Sequence, residues 1–301
     1  MDAMSEFAHE LGQNILGSLY VGLYSVCAAL FEGMFAILDS EIYNASQKLQ
    51  QSPEAWNSTA YATVKSIAEN AFVPIAGCFI ACILTWELVH LLQESNQMGG
   101  AIFEKLIVLL VTCAICILLC SHSFDIVMGF QRIGATVTEK IAKTSWSESF
   151  DRGLTLNSLG LVPPEEVGEF DTSMIFDLIG DFILLFFGNL AVFICSTIIY
   201  IRVVIWFLEL LIYSSAASIP NATWMNREWS QVGMNYTRKM LAVAFEGPFM
   251  LLLFAIYGGV ISGANYGDFK QSIIMIIGCG FALVMMMFKV GNISASIFNA
   301  H

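Results

Sequence analysis

The feature that most limits the fold of this chain is the spacing of its charged residues, which leaves long stretches without Asp, Glu, Lys or Arg. These stretches are residues 11–31, 70–86, 106–124, 182–201, 210–226, 247–267 and 271–288. About 20 helical residues cross the roughly 30 Å hydrocarbon core of a bilayer, so each stretch approaches or exceeds a membrane-crossing length. Only 13% of the residues are charged, against about 25% in soluble globular proteins, and 57% are hydrophobic. The sequence therefore predicts an all-α membrane protein and excludes an ordinary soluble domain.

The apolar stretches group into about six predicted transmembrane helices, or five if the first or the fourth segment lies flat or breaks. The predicted spans are residues 15–38, 71–92, 102–120, 182–213, 240–262 and 271–288. Amphipathic interfacial helices are predicted at 1–14, 56–71 and 124–143, because their apolar residues recur at helical spacing. Either lipid or neighbouring helices would satisfy these apolar faces.

One loop divides the chain into two predicted membrane modules. Residues 144–172 are rich in Ser, Gly and Pro, and they contain the acidic breaker PPEE at 163–166. This irregular acidic loop separates an N-terminal module, residues 1–143, from a C-terminal module, residues 173–301. The N-cap residue types at 171–173 predict that a long helix begins there.

Charge and missing motifs exclude several classes of function. The net charge is −12, from 25 acidic and 13 basic residues, which argues against a stable nucleic-acid-binding surface. The sequence contains no GxxxxGK[ST] nucleotide loop, no HExxH zinc pair and no GxSxG nucleophile elbow. We therefore expect neither an enzyme nor a protein with a metal or cofactor, and any energy for transport would come from another subunit.

The cysteines are interpreted as packing residues. Cys113, Cys116 and Cys120 share one helical face, as do Cys78 and Cys82. A metal site would require thiolates, which an apolar medium disfavours, whereas helix packing requires only small side chains.

Three charged residues at membrane depth are candidate pore or coupling residues. Glu246 precedes Gly247 and Pro248 within an apolar segment, so its carboxylate is predicted to face protein or water beside a kinked backbone. The alternative is a position near the headgroups, where Glu246 is either protonated or caps a helix that begins at Gly247 and Pro248. Arg202 and Glu209 are seven residues apart on one helical face, which predicts partners on another helix or subunit, or else an interfacial pair that reaches to water.

Glycines predict close packing of the last two spans. Gly259 and Gly263 form a GxxxG pattern, Gly258 adds a third small residue, and Gly278 and Gly280 lie on the following span.

The C-terminal third carries a family resemblance. The sequence KMLAVAFEGPFMLLLFAIYGGVIS at 239–262, a short turn, and SIIMIIGCGFALVMMMFKVGNISASIF at 272–298 resemble the TrbL-like polytopic core subunit of conjugative type IV secretion systems. The resemblance implies a multi-pass protein of the bacterial cell membrane that assembles, as a homo-oligomer with other membrane subunits, around the base of a transfer channel. It further implies separate secretion ATPases as partners and protein-bound single-stranded DNA as the substrate. The acidic net charge of the chain, by contrast, predicts that any contact with DNA is transient or delegated to another subunit. By the same resemblance, Gly258, Gly259 and Gly263 map to an assembly surface and Glu246 to an inward-facing polar group.

Two functions from different classes follow. The first is a channel or scaffold subunit of a conjugation machine, which the layout of spans and the resemblance favour. The alternative is a small-solute transporter or ion channel that uses Glu246, Arg202 and Glu209 as its binding or proton-coupling site.

Overall fold

A computed structural model of the chain describes residues 2–95, 102–145, 161–226, 228–262 and 269–300. Within these ranges the secondary structure is helical and contains no β-strand. The helices are α1 (Asp2–Gln50), α2 (Pro53–Trp56), α3 (Ser58–Ile67), α4 (Val73–Ser95), α5 (Ile102–Ser121), α6 (Ser123–Ser145), α7 (Thr172–Ser215), α8 (Ser218–Ala222), α9 (Ser230–Ser262) and α10 (Phe269–Ile297). A π-helical turn, Ala68–Phe72, joins α3 to α4, and short 3₁₀ turns lie at Pro164–Glu166 and Thr223–Met225.

The predicted all-α fold with about six spans is confirmed. Six segments of the described chain are long and apolar enough to cross a membrane. These segments are His9–Gln50, Ser58–Gln93, Phe103–Ser121, Thr172–Met225, Ser230–Ser262 and Phe269–Ile297. Five of them contain a span predicted from the sequence, and Phe103–Ser121 includes all of the predicted span 102–120 except its first residue.

The first and fourth spans belong to helices that are longer than the predicted apolar segments. α1 continues to Gln50, because the polar-looking residues after 38 contain no helix breaker and place Ile42, Ala45 and Leu49 on one buried face. α7 is continuous over 44 residues, about 66 Å of helix, so it must tilt in a bilayer or protrude from it.

The start of α7 follows the prediction from its N-cap residues. The Asp171 carboxylate accepts hydrogen bonds from the hydroxyls of Ser173 (2.8 Å) and Thr172 (3.2 Å). These hydrogen bonds, with that of Ser173 the stronger, hold the pKa of Asp171 below its ordinary value. The carboxylate is therefore ionised at the positive end of the helix dipole.

The chain forms two compact units. The first comprises Met1–Ala45, Thr144–Ile201 and Leu253–Met287. The second comprises Ser46–Lys143, Arg202–Leu252 and Phe288–His301. Each unit takes segments from both sides of the central loop, so this division by contact differs from the modules predicted along the sequence, which stay a prediction. Residues 146–160 of that predicted loop lie outside the described residues.

In the first unit, the segment before α7 is fixed along α1. The Gln13 amide pairs with both backbone groups of Phe170, donating to its carbonyl at 3.1 Å and accepting from its N–H at 2.8 Å. The Tyr20 hydroxyl donates to the carbonyl of Val162 at 2.8 Å. Gly17 makes room for the Phe170 ring, because a Cβ atom there would lie 3.0 Å from the ring edge. The acidic end of the predicted loop is thus held against α1 by hydrogen bonds.

Two further contacts join α7 to its neighbours within this unit. The Asn189 amide donates to the carbonyl of Leu30 on α1 at 2.6 Å. Lys270 of α10 lies 3.8 Å from the Asp181 carboxylate. Polar links of this kind hold apolar helices together where lipid gives no hydrophobic drive for association.

In the second unit, α4 and α5 form a hairpin around an apolar cluster. Cys113, Cys116 and Cys120 are buried there and pack against Ala222 and Met225, as the packing interpretation of these cysteines predicts. The Cys120 thiol also donates to the carbonyl of Ser218 at 3.3 Å. Cys78 and Cys82 differ, since both are exposed on α4 and lie outside the cluster.

The amphipathic helix α6 packs one side within the same unit. Phe124 and Met128 are buried in a cluster with Ala68 and Leu211. Farther along α6, Gly134 approaches α9 so closely that a Cβ atom would clash with the carbonyl oxygen of Ala244. Protein therefore covers the side of α6 that carries Phe124, Met128 and Gly134, whereas the apolar Ile133 of the same helix is 55% exposed.

We expect Gly134→Ala to destabilise the second unit by about 1–3 kcal/mol, because α6 or the backbone of α9 must move to admit the methyl group. The matched control is Gly129→Ala on the same helix, where a Cβ atom meets nothing within 4 Å. That variant is expected to be neutral or to gain about 0.5–1 kcal/mol of helix propensity. Unfolding of both variants by titrated SDS in mixed micelles measures the difference. Equal midpoints for the two variants would contradict the close approach.

Candidate functional site

Arg202 of α7 and Glu246 of α9 form an ion pair inside the second unit. Arg202 is 7% exposed and Glu246 is 2% exposed. The Arg202 Nη2 group donates a hydrogen bond to Glu246 Oε1. An isolated charge in the apolar core of a bilayer costs at least a few kcal/mol, so each residue acts as the counter-ion that the other requires. This pair is the polar centre of the second unit.

Two glycines allow close contacts at and beside the ion pair. A Cβ atom at Gly291 of α10 would lie 3.0 Å from Glu246 Oε1 and 3.5 Å from Arg202 Nη2. A Cβ atom at Gly247 would lie 2.9 Å from the indole of Trp206. The missing side chains therefore bring the α10 backbone against the ion pair and the Trp206 ring against α9.

The helix that carries Glu246 runs through a proline. Pro248 lies inside α9, which is continuous from Ser230 to Ser262, so Glu246 does not cap a helix that begins at Gly247. A proline has no N–H to donate, so the carbonyl of Ala244, four residues earlier, loses its usual intrahelical partner. That carbonyl is the one that Gly134 of α6 approaches.

Side chains from two other helices hydrogen-bond to the preceding carbonyls of α9. The Ser294 hydroxyl of α10 donates to the carbonyl of Ala242 at 2.6 Å. The Trp206 indole N–H of α7 donates to the carbonyl of Val243 at 2.8 Å. One turn of α9 thus binds α10 and α7 through its backbone, next to the ion pair that joins α7 to α9 through side chains.

Arg202 retains one guanidinium nitrogen, Nη1, that is buried and has no hydrogen-bond partner among the described residues. Glu209 lies two turns farther along α7, is partly buried and attracts the Arg202 charge without contacting it. Of the three candidate residues, Arg202 and Glu246 are therefore in contact, and Glu209 is more distant. The role of each in a pore or in coupling stays a prediction.

The chemistry of this site is that of a neutralised, closed contact. Arg202 and Glu246 cancel each other's charge, and tryptophan and glycine pack around them. Within the described ranges, no three His, Cys, Asp or Glu side chains are placed to hold a metal ion. The arrangement is suited to joining helices inside an apolar medium, and it presents neither charge of the pair to a passing solute.

The glycines predicted to pack the last two spans have different surroundings. A Cβ atom at Gly259 or at Gly278 would meet nothing within 4 Å, and both glycines are exposed. Gly258 is buried, and a Cβ atom at Gly280 would lie 3.9 Å from the Cys195 sulfur of α7. Gly263 lies outside the described residues.

Several residues of the site were not found from the sequence. The sequence pattern does not single out Trp206, Ser294, Gly291 or Gly134. Lone small residues in apolar helices give no signal of which helix they face. The one usable signal was Pro248, since a proline inside a span requires donors or close neighbours for the carbonyls that it frees.

The comparisons with known proteins identify a family. Residues 38–218, more than half of the chain, match a family model described as TrbL/VirB6 plasmid conjugal transfer like protein. No curated protein and no solved structure matches the chain. The predicted family is confirmed, although the matched residues end before the C-terminal spans in which the resemblance was seen.

We expect the single variants Arg202→Met and Glu246→Leu each to lose about 3–5 kcal/mol of stability, because each leaves one buried charge without its partner. The double variant is expected to recover most of that loss, since apolar residues of similar size often replace a buried ion pair without cost. The unfolding midpoint in SDS-containing mixed micelles, measured for all four proteins of the cycle, gives the coupling energy.

Glu32→Gln serves as the control, because it removes an exposed carboxylate from α1. It is expected to change stability by no more than about 0.5 kcal/mol. If the two single losses simply add in the double variant, the ion pair does not hold α7 to α9.

Proposed function

We propose, on the premise that this chain belongs to the TrbL/VirB6 family of plasmid conjugal transfer proteins, that it is a channel or scaffold subunit of a conjugative type IV secretion machine. In this role, copies of the chain assemble into the membrane base through which a DNA–protein substrate leaves the donor cell. The observation that carries the proposal is the family match over residues 38–218. The six candidate spans agree with it, because a multi-pass bacterial membrane protein is what such a base requires.

The proposed subunit forms part of the path and does not drive the transfer. Its sequence contains no nucleotide-binding loop, so the work of transfer falls to separate secretion ATPases. Its net charge of −12 disfavours a long-lived contact with DNA phosphates. The substrate is accordingly proposed to pass as single-stranded DNA bound to protein, with any contact between DNA and this chain transient.

Assembly is proposed to use the open glycines of α9 and α10. Gly259 and Gly278 are exposed, and each leaves space in the single chain where a side chain would stand. Large apolar residues, including Ile256, Val260 and Ile274, are also exposed on these helices. Small residues between larger ones let helix backbones approach closely in lipid, where packing rather than hydrophobicity drives association.

An in-frame deletion of this chain in the donor is expected to reduce conjugal transfer below detection, because the membrane base would be missing. Expression of the wild-type chain in trans should restore transfer, and the same deletion in the recipient should have no effect. Nicking of the plasmid at its transfer origin, measured in the same donors, should continue, since DNA processing precedes passage through the membrane. Undiminished transfer from the deleted donor would refute the proposed role.

We expect Gly259→Leu and Gly278→Leu to leave the folded chain intact and to weaken its assembly, because both positions are open within one chain. Native mass spectrometry and cross-linking in membranes measure the number of copies, and the SDS midpoint measures the fold. Gly77→Leu on α4 is the matched control, since it is equally open but lies outside the proposed assembly surface.

These outcomes separate the proposed role in conjugation from the proposed glycine surface of assembly. An unchanged copy number in both α9 and α10 variants would remove the glycine surface from the assembly and leave the role in conjugation standing. A deletion that has no effect on transfer would remove the role itself, whatever the oligomeric state.

A further inference from the structure

A groove of about 370 Å³ opens beside the middle of α4 in the second unit. One wall is a single face of α4, formed by Phe79, Cys82 and Trp86 among others. The opposite wall is the turn before α9, formed by Asn226, Glu228 and Trp229. Its volume lies in the range of about 300–1,000 Å³ that is typical of small-molecule sites.

Asn226 holds the two walls together. Its amide nitrogen donates to Glu87 Oε1 of α4 at 2.9 Å, while its amide oxygen accepts from the backbone N–H groups of Glu228 (2.7 Å) and Trp229 (3.0 Å). Asn226 is 5% exposed, so these bonds are shielded from competition. The turn that presents the Glu228 carboxylate is therefore built into the fold and fixed at the Glu87 end of the groove.

The groove changes character along its length. Phe79 and Cys82 lie within the charge-free stretch 70–86, whereas Glu87, the first charged residue after it, marks the polar end. The distance from Phe79 to Trp86 is about 10 Å along the helix axis. The apolar part of the groove, two helical turns long, thus leads to the carboxylate of Glu228. Trp86 and Trp229 lie at that end, and tryptophan is typical of the headgroup layer.

From this gradient we infer that the groove binds one phospholipid with a primary ammonium headgroup, of the phosphatidylethanolamine type. One acyl chain lies along Phe79 and Cys82, and the ammonium meets the exposed carboxylate of Glu228. Trp86 and Trp229 are 60% and 52% exposed, and their ring faces attract a cation in addition.

The charge of the groove selects the headgroup. Glu228 is the only charged side chain among its described lining residues. Arg227 lies outside the described residues. An anionic headgroup would meet the carboxylate with a like charge, and a quaternary ammonium offers that carboxylate no hydrogen bond. This inference is independent of the role in conjugation, since it rests on the groove alone.

The first experiment compares lipids bound to the full chain by native mass spectrometry in mild detergent. The probes are phosphatidylethanolamine, phosphatidylcholine and phosphatidylglycerol with identical acyl chains. We expect about a fivefold preference of the wild-type chain for phosphatidylethanolamine. Glu228→Gln should abolish this preference, whereas Glu165→Gln, which removes an exposed carboxylate from the first unit, should retain it.

The second experiment places the lipid in the groove. Cys82 lines the groove and Cys78, also exposed on α4, does not, so the two thiols form a matched pair in the same protein. Phosphatidylethanolamine should slow alkylation of Cys82 by N-ethylmaleimide severalfold and leave Cys78 unchanged, as measured by peptide mass mapping.

Three results would overturn the inference. Phosphatidylglycerol could bind as well as or better than phosphatidylethanolamine, or Cys82 could react at the same rate with and without the lipid. Cys82 could also become protected only when copies of the chain or partner subunits are present, which would identify the groove as a protein interface.

Discussion

Water is absent from the hydrocarbon core of a bilayer, so a charge that does not reach the interface or a water-filled cavity needs a partner in protein. Arg202 and Glu246 lie on different helices and are 44 positions apart in the chain. Once both charges are present in apolar helices, α7 and α9 must bring them together, because either alone would carry a large desolvation cost. Gly291 extends this requirement to α10, whose backbone closes over the pair. The ion pair thus makes α7, α9 and α10 neighbours in the second unit.

The proline of α9 imposes a second requirement on the same turn. A carbonyl without its intrahelical donor is tolerated in a membrane only where protein surrounds it. Here the freed carbonyl is that of Ala244, and Gly134 brings α6 against it, while Ser294 donates to the nearby carbonyl of Ala242. Helices α6, α7 and α10 therefore all contact the turn of α9 that precedes Pro248, and a methyl group at Gly134 would clash with the carbonyl that the proline frees.

The sequence predicts the features of this fold that depend on one helix at a time. The apolar stretches give the six spans, and Asp171 gives the start of α7, because length and capping are local properties. The pairing of Arg202 with Glu246 was not predicted, since helical spacing tells which residues share a face but not which faces meet. For the same reason Glu209 looked equivalent to Arg202, and Gly291 could not be told from the other glycines.

The family match covers one partner of the ion pair and not the other. Arg202 lies within the matched residues 38–218, whereas Glu246 and Gly291 lie beyond them. The matched segment therefore carries a buried cation whose counter-ion it does not contain. Because a buried charge cannot be left unpaired, α9 and α10 are needed to complete the packing of the segment that identifies the family. They are also the helices that expose the open glycines Gly259 and Gly278. In the proposed assembly, α9 would neutralise the buried Arg202 of the family segment, and α9 and α10 would contact the next copy elsewhere along their length.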